Sequence, residues 1–226
     1  MSKVYTVLTG DLVGSTELST EVLVRARDAL LQAVADVGAW EADLVKGEAE
    51  FFRGDSWQLL LTKPRYFLRV ALYLRAALRR ERKGLDTRIG VGFGDVERID
   101  AHRISLSVGD AFTRSGRALD RMGDAVGVAV ALPDKTGDKL GWIQPMTTLC
   151  SVAMNHWSER QADIATRMLV PDGPRQADVA SALEVTRQMV SKTLVAIEFS
   201  AIESALEWVE GAGWEKSLRM AEVRLV

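Results

Sequence analysis

The chain is poor in the residues that build disulfides, thiol catalysis and zinc sites. Among 226 residues it has one cysteine, Cys150, and two histidines, His102 and His156. No internal disulfide can form, which is typical of proteins from a reducing cytoplasm. The histidines stand in no motif that would pair them with the cysteine or make them joint zinc ligands. We therefore interpret Cys150 as a small buried apolar residue.

Long apolar runs and a strong charge of one sign are also missing. No segment approaches the roughly 20 apolar residues that cross a bilayer. The formal net charge of −2 gives no chain-wide attraction to nucleic acid or membrane. The first residues form a strand pattern rather than a basic segment followed by an apolar run and a cleavage site. These features predict a cytoplasmic globular protein with no membrane partner.

The periodicity of apolar residues up to about residue 132 predicts the element order β–α–β–β–α–β–α–β. Strand patterns occur at 4–9, on both sides of Gly54-Asp55, in "TRIGVGFGDVERID" and in "VGVAVAL". Helical spacing occurs from Thr20 to Val37, in "KPRYFLRVALYLRAALRRERKG" and in "GDAFTRSGRALDRM". This order is typical of a split βαβ arrangement around a mainly antiparallel, ferredoxin-like sheet, so the fold class is predicted as α+β.

Beyond this region the chain has only helical patterns. The stretch 132–145, rich in Gly, Pro and Asp, is typical of a connection. Helical patterns follow in "SERQADIATRML", "RQADVASALEV" and "TRQMVSKTLVAIEFSAIESALEWV". We therefore predict two domains, at 1–145 and 146–226, of which the second is all-α. The closing stretch 211–226 is left unassigned, with a docking helix and a closing strand as open alternatives.

Two carboxylates stand where the predicted sheet would bring them together. Asp11 ends the first strand and Asp55 lies in the hairpin turn. A divalent cation relieves the repulsion between two such groups, and Mg²⁺ is often held by one or two carboxylates plus substrate phosphates. Backbone N–H groups would cradle those phosphates at Leu12, Val13, Gly14, Ser15 and Thr16. In the alternative interpretation both acids are ordinary turn residues.

These stretches resemble the motifs of class III nucleotidyl cyclases. "TGDLVGSTELS" and "FFRGDSWQLLL" are similar to their two metal-binding motifs, "TRIGVGFGDVERI" to the strand that follows, and "VGDAFTRSGRALDRM" to the helix nearest the reacting phosphate. The resemblance covers roughly residues 4–131 and implies a cyclase-like sheet. It also implies Mg²⁺ or Mn²⁺ at Asp11 and Asp55, a nucleotide or other phosphorylated ligand near Gly54, and a site shared across a homodimer.

Several positions depart from the pattern of an active cyclase. Phe51 and Leu106 stand at the two base-reading positions, and Thr113 replaces the Asn that helps hold the transition state. Loss of such a donor commonly costs about 2.7–4 kcal/mol. Arg117 is retained, either as a catalytic residue beside Thr113 or as a solvated helix residue. The resemblance therefore implies a nucleotide-binding domain of weak or absent catalysis. The alternative is an active nucleotidyl cyclase or nucleotidyltransferase with an unusual base pocket.

The segment 175–194, "RQADVASALEVTRQMVSKTL", has the pattern of a helix-turn-helix. The first helix would bury Ala177, Val179, Ala180 and Leu183, and the second would be capped by Thr186 and anchored by Val190 and Leu194. Glu184 stands where such turns often have Gly, so the tight turn must form without the freedom at positive φ that Gly gives. The open face would present to double-stranded DNA the residues Arg187, Gln188, Ser191 and Lys192. Because acidic residues match basic ones in this half, a protein-interaction module is the alternative.

The pairing of the two halves resembles bacterial SatD-type proteins, which join a cyclase-like N-terminal region to a C-terminal helix-turn-helix. The resemblance extends to about residue 209. It implies a DNA-binding transcriptional regulator, and two-fold operators would favour a homodimer. A scaffold that binds neither DNA nor nucleotide is the third interpretation.

Overall fold

The protein has a mixed α+β architecture around one five-stranded sheet. The computed structural model describes residues 4–52, 54–123, 126–133, 136, 140–214 and 216–218. The strands are β1 (Tyr5–Leu12), β2 (Glu50–Phe52), β3 (Ser56–Leu61), β4 (Thr87–Gly94) and β5 (Val128–Ala131). They lie in the order β2-β3-β1-β4-β5, and all neighbours are antiparallel except β4 and β5, which are parallel.

Three helices alternate with these strands as predicted. They are α1 (Thr20–Gly38), α2 (Phe67–Glu81) and α3 (Asp110–Asp120). The predicted order β–α–β–β–α–β–α–β is therefore confirmed, and β1 lies between β3 and β4 as a split βαβ sheet requires. Local signals explain the helix starts. The Ser19 hydroxyl accepts a hydrogen bond from the Val22 amide before α1, and a short 3-10 helix that begins at Pro64 leads into α2.

Different helices cover the two faces of the sheet. On one face Leu8 and Leu12 belong to the main core, which includes α1 and α2. On the other face Val7 packs in a smaller cluster with Ala111 of α3. Successive strand residues point to opposite faces, so Asp11 shares the α3 face with Val7.

Alternating glycines in β4 let α3 lie directly on the strand backbone. A Cβ at Gly90 would stand 2.2 Å from the carbonyl oxygen of Ser115, and one at Gly92 would stand 2.3 Å from that of Ala111. Only glycine fits at these two positions. The Gly-x-Gly pattern of "IGVGFG" therefore determines how closely the helix that carries Thr113 and Arg117 approaches the sheet.

The described residues that follow β5 are mostly helical. The helices are α4 (Ile143–Ala153), α5 (Glu159–Met168), α6 (Gln176–Ala182), α7 (Arg187–Ala196) and α8 (Phe199–Gly211). The last part of the predicted connection 132–145 is thus helical, while 134, 135 and 137–139 lie outside the described residues. The pattern from Thr186 to Val209 forms two helices, because the chain turns at Glu198, whose φ is 54°. No helix in the described ranges is both long and apolar enough to span a bilayer.

Two buried arginines of α2 bind Asp86 within the sheet half and also hydrogen-bond to the helical half. Arg75 of α2 binds the Asp86 carboxylate with two nitrogens, at 3.0 and 2.6 Å, and donates to the Ser151 carbonyl of α4 at 2.8 Å. Arg79 also pairs with Asp86, at 2.6 Å, and donates to the Asn155 carbonyl at 3.0 Å. The sequence interpretation did not find this network. Two arginines one helical turn apart and an aspartate just before a strand were its only signals.

Apolar packing joins the same two halves. Trp214, in the closing stretch, stacks on Phe93 of β4 with ring centroids 5.1 Å apart and meets Phe67 of α2 edge-on at 5.4 Å. Leu218 is also buried, whereas 219–226 lie outside the described residues. Cys150 is buried as predicted, and burial raises the pKa of its thiol to about 11.

Candidate functional site

The end of β1 and the β2–β3 turn lie side by side. Asp11 is directly opposite Ser56 in the antiparallel register of β1 and β3. The amide of Leu12 donates a hydrogen bond to the carbonyl of Asp55 at 3.3 Å. The main chain at Asp11 and the main chain at Asp55 are therefore neighbours in space, as the split βαβ order requires.

The side chain of Arg88 forms a salt bridge with the carboxylate of Asp11. The two residues are directly opposite each other in the pairing of β1 with β4. Arg88 Nε and Nη2 donate to Asp11 Oδ1 and Oδ2 at 3.0 and 2.5 Å. The side chains are 34% and 20% exposed, so the pair is partly shielded from water. The sequence interpretation missed this partner, because an arginine at the start of β4 becomes relevant only once the register of β1 and β4 is known.

Asp55 is bound by the loop that follows β1. The Ser15 hydroxyl donates to Asp55 Oδ2 at 2.5 Å. Ser15 opens a short 3-10 turn, and Gly14 before it has a φ of 63°, a conformation that costs glycine little. This turn brings the predicted phosphate-binding loop against the hairpin turn that contains Gly54.

Two of the predicted phosphate-binding amides are already used within the protein. The Leu12 amide donates to Asp55, and the Val13 amide donates to the Asp86 carbonyl at 2.9 Å. Gly14 and Thr16 are exposed and Ser15 is half-buried. Any phosphate cradle at this loop therefore depends on the three residues Gly14, Ser15 and Thr16.

The donor atoms at this strand end fit a hard divalent cation in their chemistry. The carboxylates of Asp11 and Asp55 and the hydroxyl of Ser15 offer oxygen, which Mg²⁺ and Mn²⁺ prefer. Within the part of the chain that the structure describes, no three His, Cys, Asp or Glu side chains are grouped to hold a metal ion. A cation here would complete its shell with water or ligand phosphates, and it would meet Arg88 at Asp11.

The predicted base-reading residue Phe51 and the predicted metal ligand Asp11 lie on opposite faces of the sheet. Phe51 is opposite Trp57 across β2 and β3, so it lies on the face of the main core, and the Arg27 guanidinium of α1 is 5.0 Å from its ring centre. Leu106 lies in a short 3-10 helix, Ile104–Leu106, and is 42% exposed. Strand alternation is the reason that Phe51 and Asp11 are on opposite faces of the sheet.

Thr113 and Arg117 lie on the exposed side of α3. They line a cleft of about 740 Å³ between α3 and β5, together with Arg121 and Gln144. In the sheet, β4 and β1 separate β5 from the hairpin that contains Asp55. Within one chain, the predicted catalytic residues and the predicted metal ligands are thus parts of two different surfaces.

Helices α6 and α7 are joined by a four-residue turn, 183–186. The Thr186 hydroxyl accepts a hydrogen bond from the Met189 amide at 3.2 Å, and Val190 and Leu194 are buried, both as predicted. The turn forms without glycine, and Glu184 itself takes a positive φ of 53°. The placing of Ala177 on the buried side of the first helix was wrong, because Ala177 is exposed. The short helix α6 buries only Val179 and Ala180, with Leu183 after it half-buried.

The outer side of α7 is open to solvent. Arg187, Gln188 and Lys192 are exposed and Ser191 is half-buried. A shallow pocket of about 400 Å³ runs beside the helix, and Gln188, Lys192 and Gln161 of α5 contribute to its wall. The four residues predicted to face DNA therefore lie at or near one accessible surface.

Comparisons with known proteins assign no family to this chain. No family model matches the sequence, and no curated protein matches it. Among solved structures it is similar to the crystal structure of the guanylyl cyclase Cya2, with 19% sequence identity and a TM-score of 0.42. The match covers 58% of this chain and 77% of that chain. The fold is therefore described from the protein's own sheet order and helices.

Proposed function

We propose that the protein is a cytoplasmic, DNA-binding transcriptional regulator of the SatD type. In this proposal α7 reads double-stranded DNA, and a cyclase-like sheet half binds a nucleotide or another phosphorylated ligand with a divalent metal. The observation that carries the proposal is the division of α7 into a buried side and an open side. Val190 and Leu194 anchor the helix, while Arg187, Gln188 and Lys192 face solvent.

The chemistry of the open side suits the major groove. Arg makes paired hydrogen bonds to guanine, Gln makes them to adenine, and Lys and Ser suit phosphates. Arg187 and Gln188 stand in the first turn of α7, which is the end of a recognition helix that contacts base edges. The capped start of α7 and its buried anchors hold this end in a defined orientation.

The test is a binding selection with a random-sequence double-stranded DNA library and the full chain. On an enriched duplex, we expect Arg187→Ala to weaken binding by about 5–100-fold, the loss of a bidentate base contact. Lys192→Ala is expected to weaken binding to all sequences and to lower the salt slope by about one. Arg25→Ala, on helix α1 of the sheet half, is the control and should bind as the unchanged protein does. The absence of any salt-sensitive DNA retention would contradict the proposal.

The sheet half supplies the ligand site of this proposal. Asp11 and Asp55 would hold Mg²⁺ or Mn²⁺, and Gly14, Ser15 and Thr16 would approach the phosphates. When bound, the metal neutralises phosphate charge and orients the phosphate chain. Ser15 fixes the position of Asp55 through its 2.5 Å hydrogen bond. Phe51 and Leu106 offer no charged or paired hydrogen bonds to a base, so this site would discriminate weakly between bases.

A homodimer is part of the proposal. A two-fold symmetric operator is read by two copies of the recognition helix. A second copy of the chain would also supply Thr113 and Arg117 beside Asp11 and Asp55 of the first copy. The separation of these two surfaces within one chain supports this arrangement. Sedimentation equilibrium of the full chain measures the oligomeric state. A monomer both with and without nucleotide would contradict the proposed homodimer.

The second candidate function is a nucleotidyl cyclase or nucleotidyltransferase. The observation in its favour is the meeting of the Asp11 and Asp55 segments at adjacent strand ends. Each nucleoside triphosphate is incubated with Mg²⁺ or Mn²⁺ and the products are separated by chromatography. Metal-dependent turnover that Asp55→Asn abolishes would favour the enzyme over the regulator.

A further inference from the structure

The salt bridge between Arg88 and Asp11 has the geometry of a filled cation site. Two nitrogens of Arg88 meet both carboxylate oxygens of Asp11, at 3.0 and 2.5 Å. A bidentate guanidinium uses one lone pair on each carboxylate oxygen, and a metal ion chelated by both oxygens would take the same two lone pairs. Such an ion and Arg88 cannot bind this side of the Asp11 carboxylate together.

The backbone holds Arg88 at this position. Asp11 and Arg88 are paired residues on neighbouring strands in the middle of the sheet, and their side chains point to the same face. The flanking residues are fixed as well, because Thr87 is fully buried and its hydroxyl donates to the Asp11 carbonyl at 2.6 Å. Arg88 is therefore a permanent neighbour of Asp11 rather than a surface side chain that happens to reach it.

The pair also differs from an ordinary surface ion pair. The exposed pair Arg25–Glu21 on α1 has side chains 64% and 79% exposed, whereas the Arg88 and Asp11 side chains are 34% and 20% exposed. Water screens the first pair strongly and the second pair much less. Displacement of Arg88 from Asp11 therefore costs more free energy than the loss of a typical surface pair.

We infer that Arg88 is an internal cation that competes with the divalent metal for Asp11 and so sets the metal affinity of the site. This inference rests on the metal site of the proposed function and deepens it. In the metal-free protein, Arg88 neutralises Asp11 and keeps the strand end ordered. Chelation of a metal ion by both oxygens of Asp11 requires the guanidinium to turn away from Asp11. Arg88 is thus a positioning residue that raises the metal concentration at which the site fills.

The experiment measures Mn²⁺ binding to the full chain, without nucleotide, by isothermal titration and by the EPR signal of free Mn²⁺. We expect Arg88→Gln to bind Mn²⁺ about tenfold more tightly than the unchanged protein, because a charge-assisted bidentate competitor has been removed. Arg88→Lys keeps the charge but loses the planar fork, so a smaller gain is expected. Arg25→Gln is the matched control, since it breaks an exposed arginine–carboxylate pair that includes neither proposed metal ligand, and its affinity should not change.

A second readout follows Arg88 itself. In the unchanged protein, the side-chain Nε–H resonance of Arg88 should shift on titration with diamagnetic Mg²⁺, as its hydrogen bond to Asp11 is lost. Thermal scans without metal show whether each variant is folded. In the background of Arg88→Gln, Asp55→Asn should abolish the gain in Mn²⁺ affinity.

The outcomes separate the two proposals. Equal Mn²⁺ affinity in Arg88→Gln and the unchanged protein would overturn the competition and leave the metal site standing. The absence of bound Mn²⁺ from every variant would overturn both. A gain that survives Asp55→Asn would place the ion elsewhere and would also overturn the inference.

Discussion

At the scale of single residues, Glu41 shows how neighbouring charges determine a titration. Lys63 and Arg65, at the start of the segment leading into α2, both bind this carboxylate, Arg65 at 2.7 Å. Burial opposes ionisation of Glu41. Hydrogen bonds from Lys63, Arg65 and Tyr66 outweigh burial and lower the pKa from its ordinary value of 4.5 to about 2. The folded protein therefore binds this proton less tightly than the unfolded chain does.

The sign of the pH effect follows from this shift. The stabilisation is fully present above the unfolded pKa and is lost as the pH falls through the folded pKa. We expect Glu41→Gln to lower Tm at pH 7, and the difference from the unchanged protein to shrink between about pH 4.5 and pH 2. Thermal unfolding followed by circular dichroism at a series of pH values measures it. Glu21→Gln, in an exposed pair, is the control, and a difference independent of pH would contradict the assignment.

The candidate site also shows which contacts between residues could be predicted from the sequence and which could not. The sequence predicts that Asp11 and Asp55 are neighbours because local patterns predict the order of the strands. It does not predict the salt-bridge partner of Asp11, because Arg88 is opposite Asp11 only in the actual register of β1 and β4. Phe51 was assigned to the ligand site by its position in a motif. Its pairing with Trp57 then placed it on the other face of the sheet.

At the scale of elements, the turn between α6 and α7 contains a strained residue. Glu184 has a φ of 53°, and the left-handed conformation costs a non-glycine residue about 1–2 kcal/mol. Glycine at this position removes this cost. It also lowers the free energy of unfolding by about 0.5–1 kcal/mol, because glycine makes the unfolded chain more flexible. We therefore expect Glu184→Gly to stabilise the protein by roughly 0.5–1 kcal/mol.

Urea unfolding measures this change, and an exposed helix residue provides the comparison. Glu203→Gly, in the interior of α8, should destabilise by about 1 kcal/mol, because its conformation is helical and glycine is a poor helix former. A loss of stability in Glu184→Gly equal to that in Glu203→Gly would show that the turn is not strained.

Helix boundaries were predictable where a local signal marks them. The cap predicted at Thr186 is confirmed, and Ser19 and Pro64 are local signals of the same kind before α1 and α2. The break at Glu198 was missed, because no glycine or proline stands there and the left-handed conformation is taken by a glutamate. Tertiary packing on both sides of the break outweighs the local preference of that residue.

At the scale of the whole molecule, the sheet half and the helical half share one core. Trp214 is 3% exposed and packs between Phe93 and Phe67, and Arg75 connects α2 with α4. We expect one cooperative unfolding transition, coincident by fluorescence and circular dichroism. Trp214→Ala should destabilise the protein by about 3–5 kcal/mol because it leaves a cavity in this shared core.

Trp208, on α8 and 65% exposed, is the matched control for Trp214. It meets Trp142 edge-on at 5.6 Å, so Trp208→Ala should cost about 1 kcal/mol or less. Two separate transitions, or equal losses in the two tryptophan variants, would show that the halves unfold independently. The sequence predicted a helical region after the sheet, but the shared core depends on side chains from both halves and has no local signal.

The bare backbone of β4 under α3 has a mechanical consequence. Where side chains separate a helix from a sheet, rotamer changes can absorb a displacement of the helix. At Gly90 and Gly92 no side chain separates the two elements, and main-chain atoms of α3 contact main-chain atoms of β4. Any displacement of this helix must be a rigid slide along the strand. Such a slide would carry Thr113 and Arg117 together, with their spacing unchanged.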